Sequence, residues 1–209
     1  MLGVWWVVPA LAASWPDRLA KAQGLDELGR VEEIRFTFRA SRPGRTSERR
    51  WSYRPSTHVV ELLSAPPEGL VAPVRYDRDD PVPEALTKVD ASFINDSFWF
   101  LLPMHLAWAA ELNVEEAGPA TIPGSSESAT LLVVRYPATG GYTPGDRYDL
   151  YVDSTDRIVA WAWYAGGKEP AGMVTSWERY TVAGPLTLST LRRSVDGTAT
   201  IEFVDVEVR

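Results

Sequence analysis

Hydrophobic residues occupy every second position along most of the chain after residue 30, which is the period of a half-buried β-strand. In VEEIRFTFRA, Ile34, Phe36 and Phe38 alternate with polar residues. The turn SRPGRTSE and the returning stretch RRWSYR complete a predicted hairpin. HVVELL at 58–63 and a short extended piece near 71–76 are predicted as the next two strands.

The second half of the chain repeats this pattern in six further predicted strands. They are TLLVVRY (130–136), RYDLYVD (147–153), RIVAWAWYA (157–165), MVTSWERYTV (173–182), PLTLSTLRRS (185–194) and TATIEFVDVEV (198–208). The joins are short and rich in turn residues, so neighbouring strands are expected to pair antiparallel. A sheet of about ten strands must curl or split. In the last strand the alternation changes parity, which predicts a β-bulge near Phe203.

The N-terminal region departs from this period. LGVWWVVPALAAS resembles the apolar and small-residue parts of a secretory signal, so residues 1–13 are interpreted as a truncated signal; the alternative is a first helix packed into the domain. Ser14, Pro16 and Asp17 have the pattern of a helix start, and that helix is expected to end near residue 28. No linker or repeat divides residues 14–209, which are expected to form a single domain.

The densest apolar block is FINDSFWFLLPMHLAW, residues 93–108. It is hydrophobic nearly all round, which predicts an enclosed helix, and it is too short to span a bilayer. Pro103 should break it, so two short helices are expected at about 91–101 and 103–110, covering one face of the curved sheet. Asn95-Asp96-Ser97 is interpreted as the helix cap. The alternative is a polar group at a pocket mouth that orients the head group of a ligand.

Charge and composition narrow the choice of partners. The chain has no cysteine, which excludes disulfides, thiolate metal sites and a lipid-modified cysteine. Its pI near 4.9 argues against nucleic-acid binding. From Arg35 to Arg54 there are seven arginines and one glutamate, so this hairpin carries about +6 and the remaining chain about −13. Solvent-facing strands explain this, and an anionic membrane surface or acidic protein is the competing interpretation.

Candidate chemistry is sparse. The two histidines, His58 and His105, lie far apart and lack the spacing of a metal site, and no cofactor-binding loop is present. YDRDD at 76–80 lacks the pattern of a calcium loop and is interpreted as an acidic solvated loop. GSSES at 124–128 is not a nucleophile elbow. We therefore expect no metal, no cofactor and no catalytic residue.

The order of the segments resembles a known superfamily. NDSFWFLLP between two meanders, followed by TGGYTPGDRYDLYVD, WAWY, SWERY and PLTLSTLRR, is similar to the LolA/LolB lipoprotein-localisation factors over residue 15 to the C-terminus. That resemblance implies an open, strongly curved antiparallel half-barrel with helices plugging its concave side. In carrier members the cavity accepts acyl chains. The chain departs from the LolB type because it lacks the lipid-modified cysteine.

These observations predict a mainly β (α+β) fold: a single large curved antiparallel sheet, an open half-barrel of about ten strands, with short helices over its concave face. The leading hypothesis is a non-catalytic extracytoplasmic carrier that holds a lipid, an acyl chain or another apolar ligand under this cover. The alternatives are an enzyme that uses His105 and Asp96 in the same cavity, and a structural or protein-interaction module. The residues predicted to line the ligand site are Phe36, Phe38, Trp51, Phe98, Trp99, Leu102, Met104, His105, Trp161 and Trp163.

Overall fold

The computed structural model describes residues 13–109, 111–140 and 143–209. Apart from Ala13, the predicted signal segment lies outside these residues, as does the last residue of the second predicted cover helix. The described chain is mainly β, with twelve strands. They are β1 Ile34–Arg42, β2 Arg45–Arg54, β3 Val59–Leu62, β4 Val74–Asp77, β5 Asn113–Thr121, β6 Ser128–Arg135, β7 Arg147–Val152, β8 Ile158–Tyr164, β9 Met173–Ser176, β10 Glu178–Ala183, β11 Leu186–Arg193 and β12 Thr200–Val208.

The strands form two antiparallel sheets that do not close. The larger has the order β10-β11-β12-β1-β2-β3-β4, and the smaller runs from β5 to β9 in chain order. β9 and β10 form one extended run interrupted at Trp177, whose N–H donates to the Val159 carbonyl at 2.7 Å. Thr175 in this run also bridges Ser194. The predicted single sheet has therefore split where one run passes from one sheet to the other.

Two strands exceed the predicted ten. β5 was not predicted because its side chains are exposed or half-buried along its whole length, so no hydrophobic alternation marks it. The predicted strand at 173–182 is divided into β9 and β10. The predicted bulge is confirmed two residues beyond Phe203: Arg35 pairs with Glu207 and Thr37 with Val204, and Asp205 between them has a φ of 51°.

The first helix, α1, spans Trp15–Ala22 and begins as predicted. The Ser14 hydroxyl accepts a hydrogen bond from the Asp17 N–H and donates to the Asp17 carboxylate. The helix ends earlier than predicted because Gly24 adopts a φ of 97°, and a 3₁₀ helix follows at Leu25–Arg30.

The cover is one kinked helix, α2, spanning Thr87–Trp108. Leu101 interrupts it with a φ of −113° and a ψ of 26°, two residues before the predicted break at Pro103. Proline removes the N–H that would bond four residues back, and here the free Trp99 carbonyl accepts a hydrogen bond from Arg192 at 2.7 Å. Because α2 begins at Thr87, the interpretation of residues 95–97 as its N-terminal cap is wrong.

α2 separates two hydrophobic cores. Its Phe93 and Phe100 pack with Phe36 and Phe203 of the larger sheet, where the Phe100 and Phe203 rings stack with centroids 4.4 Å apart. Its Leu102 and Leu106 pack against the smaller sheet. No helix within the described ranges is long and apolar enough to cross a membrane.

Candidate functional site

A cavity of about 650 Å³ lies between the β1–β2 hairpin, α2 and strands β7 and β8. We call it the hairpin cavity. Its floor is aromatic and comprises Phe98, Trp99, Tyr148, Trp161 and Trp163. The Trp99 and Trp161 rings meet edge to face with centroids 4.3 Å apart, and the Tyr148 ring stacks on Trp161 at 5.2 Å. The Trp163 indole N–H donates to the Asp146 carboxylate at 2.7 Å, which fixes that ring.

The hairpin forms one wall of this cavity and changes character along its length. The facing side chains belong to three cross-strand pairs, which are Phe38 with Arg49, Ala40 with Ser47, and Arg42 with Arg45. The preceding pair on the same face, Phe36 with Trp51, is fully buried beneath α2. The wall therefore runs from buried aromatic rings to exposed arginines.

Asp96 anchors α2 to this wall. Its side chain is fully buried and accepts two hydrogen bonds from the Arg49 guanidinium, at 2.7 and 2.6 Å. The Trp51 indole N–H donates to the same carboxylate at 2.8 Å, and the Asn95 amide donates at 3.0 Å. The hydrogen bond with Asp96 raises the pKa of Arg49. Asp96 is therefore a buried counter-ion, a role that was not predicted from the sequence because Arg49 and Trp51 lie more than 40 residues away.

A second cavity, of about 610 Å³, lies on the other side of Phe98. We call it the His105 cavity. His105 Nε2 and the Tyr136 hydroxyl are buried there and have no hydrogen-bond partner among the described residues. Burial and, to a smaller extent, the nearby charge of Arg78 lower the pKa of His105 to about 4, although a hydrogen bond with the Ser97 backbone opposes both effects. The ring is therefore neutral at neutral pH.

The predicted ligand-site residues divide into three groups. Phe38, Phe98, Trp99, Trp161 and Trp163 line the hairpin cavity, and His105 and Phe98 line the His105 cavity. Phe36, Trp51, Leu102 and Met104 line neither cavity and are fully buried in the cores. The sequence did not indicate Tyr148 or Asp146, and it indicated Arg42 and Arg45 only as part of the arginine-rich hairpin 35–54, not as residues that line a cavity.

The structure does not bring together the residues proposed for catalysis. His105 faces the second cavity, whereas Asp96 lies beneath the larger sheet and lines neither cavity. No group of three or more potential metal ligands occurs in the part of the chain that the structure describes. The other histidine, His58, is exposed and contacts Asp79 at 2.7 Å.

No protein-family model matches the chain, and no curated protein matches it. A solved LolA superfamily protein from Nitrosomonas europaea is similar over 95% of this chain and 94% of its own, with 12% identity and a TM-score of 0.52. This chain has a LolA-like fold. A DUF1329 family protein from Desulfovibrio piger is similar over 92% of this chain and 91% of its own, with 13% identity and a TM-score of 0.50. The predicted superfamily resemblance is therefore confirmed at the level of the fold.

Proposed function

We propose that this LolA-like chain is a non-catalytic extracytoplasmic carrier that holds an apolar small molecule or a lipid acyl chain in the hairpin cavity. The observation that carries the proposal is an aromatic-floored cavity of about 650 Å³ between the β1–β2 hairpin, α2 and strands β7 and β8. Ligand sites have volumes of roughly 300–1,000 Å³ and combine apolar walls with a few polar groups. The hairpin cavity has that size and that lining.

Two further observations support a carrier. His105 and Asp96 do not converge, so these two residues cannot act together as an acid–base pair. The aromatic side chains also leave open space, which a module whose concave face was packed solid would lack. We propose that residues 14–209 act as one binding domain. The extracytoplasmic location rests on the signal-like pattern of residues 1–13.

A cavity-filling variant tests the proposal. Ala91 lies on α2 and lines the hairpin cavity, so Ala91→Trp should occupy space that the ligand needs. Ala85 is exposed in the 3₁₀ helix Glu84–Leu86 and lines neither cavity, so Ala85→Trp is the matched control. Binding is measured by displacement of a neutral fluorescent probe, N-phenyl-1-naphthylamine, with a series of fatty acids and fatty alcohols. Native mass spectrometry of the purified protein detects any ligand retained from expression.

We expect the wild type and Ala85→Trp to bind the probe equally, and Ala91→Trp to bind it at least about tenfold more weakly, because its indole ring would project into the cavity and take up space that the probe needs. Thermal unfolding checks that both variants fold. Equal probe binding by all three folded proteins, or no binding of any apolar probe to the wild type, would contradict the carrier function.

A further inference from the structure

We propose that the ligand is an anionic amphiphile, whose head group is bound by Arg42 and Arg45 at the mouth of the hairpin cavity and whose apolar part lies on the aromatic floor. This inference rests on the proposed carrier function and adds the charge and orientation of the ligand. The shared chemistry is a carboxylate or phosphate attached to a hydrocarbon chain.

Arg42 and Arg45 pair directly across the two-residue turn at the end of the hairpin, and both are exposed at the cavity. Strands rise about 3.3 Å per residue, so this pair lies about 13 Å along the wall from Phe38. A ligand with an apolar chain on the floor would therefore place its head group beside both guanidinium groups.

Some arginines of the hairpin are paired with carboxylates and others are not. Arg39 pairs with Glu48, Arg49 with Asp96, and Arg54 with Glu33 and Glu61. By contrast, Arg42 and Arg45 form no ion pair or side-chain hydrogen bond with any residue in the described ranges.

Like charges directly opposite each other on paired strands destabilise a hairpin. Asp146 is the one carboxylate among the described lining residues, and it already accepts hydrogen bonds from Trp163 and Gly166. An anion bound between Arg42 and Arg45 would relieve their repulsion.

The guanidinium group of arginine is suited to bind an anionic head group. Its planar fork of N–H donors matches the two oxygens of a carboxylate or phosphate. The protein as a whole carries a net charge of −7, which repels anions, so an anionic ligand needs a local positive site. Two unpaired arginines at the mouth of an apolar cavity provide that site.

The test compares ligands that share one chain and differ only in the head group. Dodecanoate, dodecyl phosphate, dodecanol and dodecyltrimethylammonium each displace the neutral probe from the wild type, Arg42→Gln, Arg45→Gln and the double variant. Arg50→Gln is the matched control because Arg50 is exposed on the same hairpin, forms no ion pair with a described residue and does not line the cavity. All five proteins are compared at low and high salt.

We expect the two anions to bind the wild type more tightly than dodecanol, and the cation most weakly. Each single substitution should weaken binding of both anions by about three- to fivefold, and the double substitution by about tenfold or more. The arginine substitutions should not change the binding of dodecanol, and Arg50→Gln should bind all four ligands as the wild type does. Of the four ligands, only the two anions should bind more weakly when salt is added.

Three outcomes would overturn the inference. If dodecanol binds as tightly as the anions and the arginine variants change nothing, the anionic head-group site is wrong while the carrier function stands. If no amphiphile binds, the carrier function fails and the inference fails with it. If phosphatidylglycerol vesicles capture the protein and Arg50→Gln weakens that capture as much as Arg42→Gln, the hairpin binds a membrane surface instead.

Discussion

Removing Arg192 should destabilise the protein more when residue 103 is proline than when it is alanine. Pro103 has no N–H, so the Trp99 carbonyl one turn earlier lacks its helical partner. Arg192 on β11 donates to that carbonyl at 2.7 Å. The same guanidinium donates to the Ser189 hydroxyl at 2.7 Å and lies 3.5 Å from the centre of the Trp177 ring. A residue 93 positions away in the sequence thus satisfies the carbonyl that the proline leaves free.

The contacts of Arg192 determine how much stability its removal should cost. Burial lowers the pKa of Arg192 to about 9, so the group is still charged at neutral pH. A hydrogen bond to a charged donor contributes about 1.5–3 kcal/mol, and leaving a buried carbonyl without a partner costs about 1–3 kcal/mol. With the lost ring contact, Arg192→Met should lower the free energy of unfolding by about 3–5 kcal/mol. In a Pro103→Ala background the new N–H can bond to Trp99, so about 1–2 kcal/mol of that loss should be recovered.

A double-mutant cycle measures this coupling. The wild type, both single variants and the double variant are unfolded in urea, and the free energies of unfolding are compared where the slopes agree. Arg193→Met is the control: this neighbour is half exposed and pairs with Glu178, so its cost should be small and independent of Pro103. If the losses in free energy of unfolding caused by Arg192→Met and Pro103→Ala add up in the double variant within about 0.5 kcal/mol, the proposed exchange of hydrogen-bond partners is refuted.

Two further predictions concern stability. The pKa of His105 is about 4 in the folded protein, against an ordinary value of 6.5, so protonation of this side chain favours the unfolded chain. The contribution of neutral His105 to the free energy of unfolding is therefore full above pH 6.5 and falls, by up to about 3 kcal/mol, as the pH drops to 4. Urea unfolding across this range should show that His105→Phe loses this part of the acid sensitivity while His58→Gln keeps it, and equal profiles would contradict the assignment. Gly24→Ala should cost about 3 kcal/mol, since its Cβ would lie 2.7 Å from the Pro185 carbonyl oxygen. Gly44→Ala should cost only about 1 kcal/mol, because Gly44 also has a positive φ but its Cβ would meet no atom of the described residues within 4 Å. Equal losses in thermal unfolding of the two glycine variants would show that the close contact is unimportant.

Much of the fold could be predicted because it is encoded between near neighbours in the sequence. Alternation with period two marks most of the strands, and Ser14 with Asp17 marks the start of α1. The helix break near Pro103 and the bulge beyond Phe203 also follow from local pattern. β5 escaped prediction because its side chains are exposed or only half-buried, so it has no hydrophobic alternation to detect.

The candidate site was only partly predictable, because strand parity tells which side chains point inward but not what they meet there. Phe36 and Phe38 share one face of β1, yet α2 covers the first while the second lines open space. Asp96 had the sequence pattern of a helix cap, and only the curl of the larger sheet brings Arg49 and Trp51 to it. The sequence by itself determined most of the strands, their faces and the break in the cover helix, since these depend on residues a few positions apart. The tertiary structure alone decided where core ends and cavity begins, since that depends on how far a kinked helix extends over a split sheet.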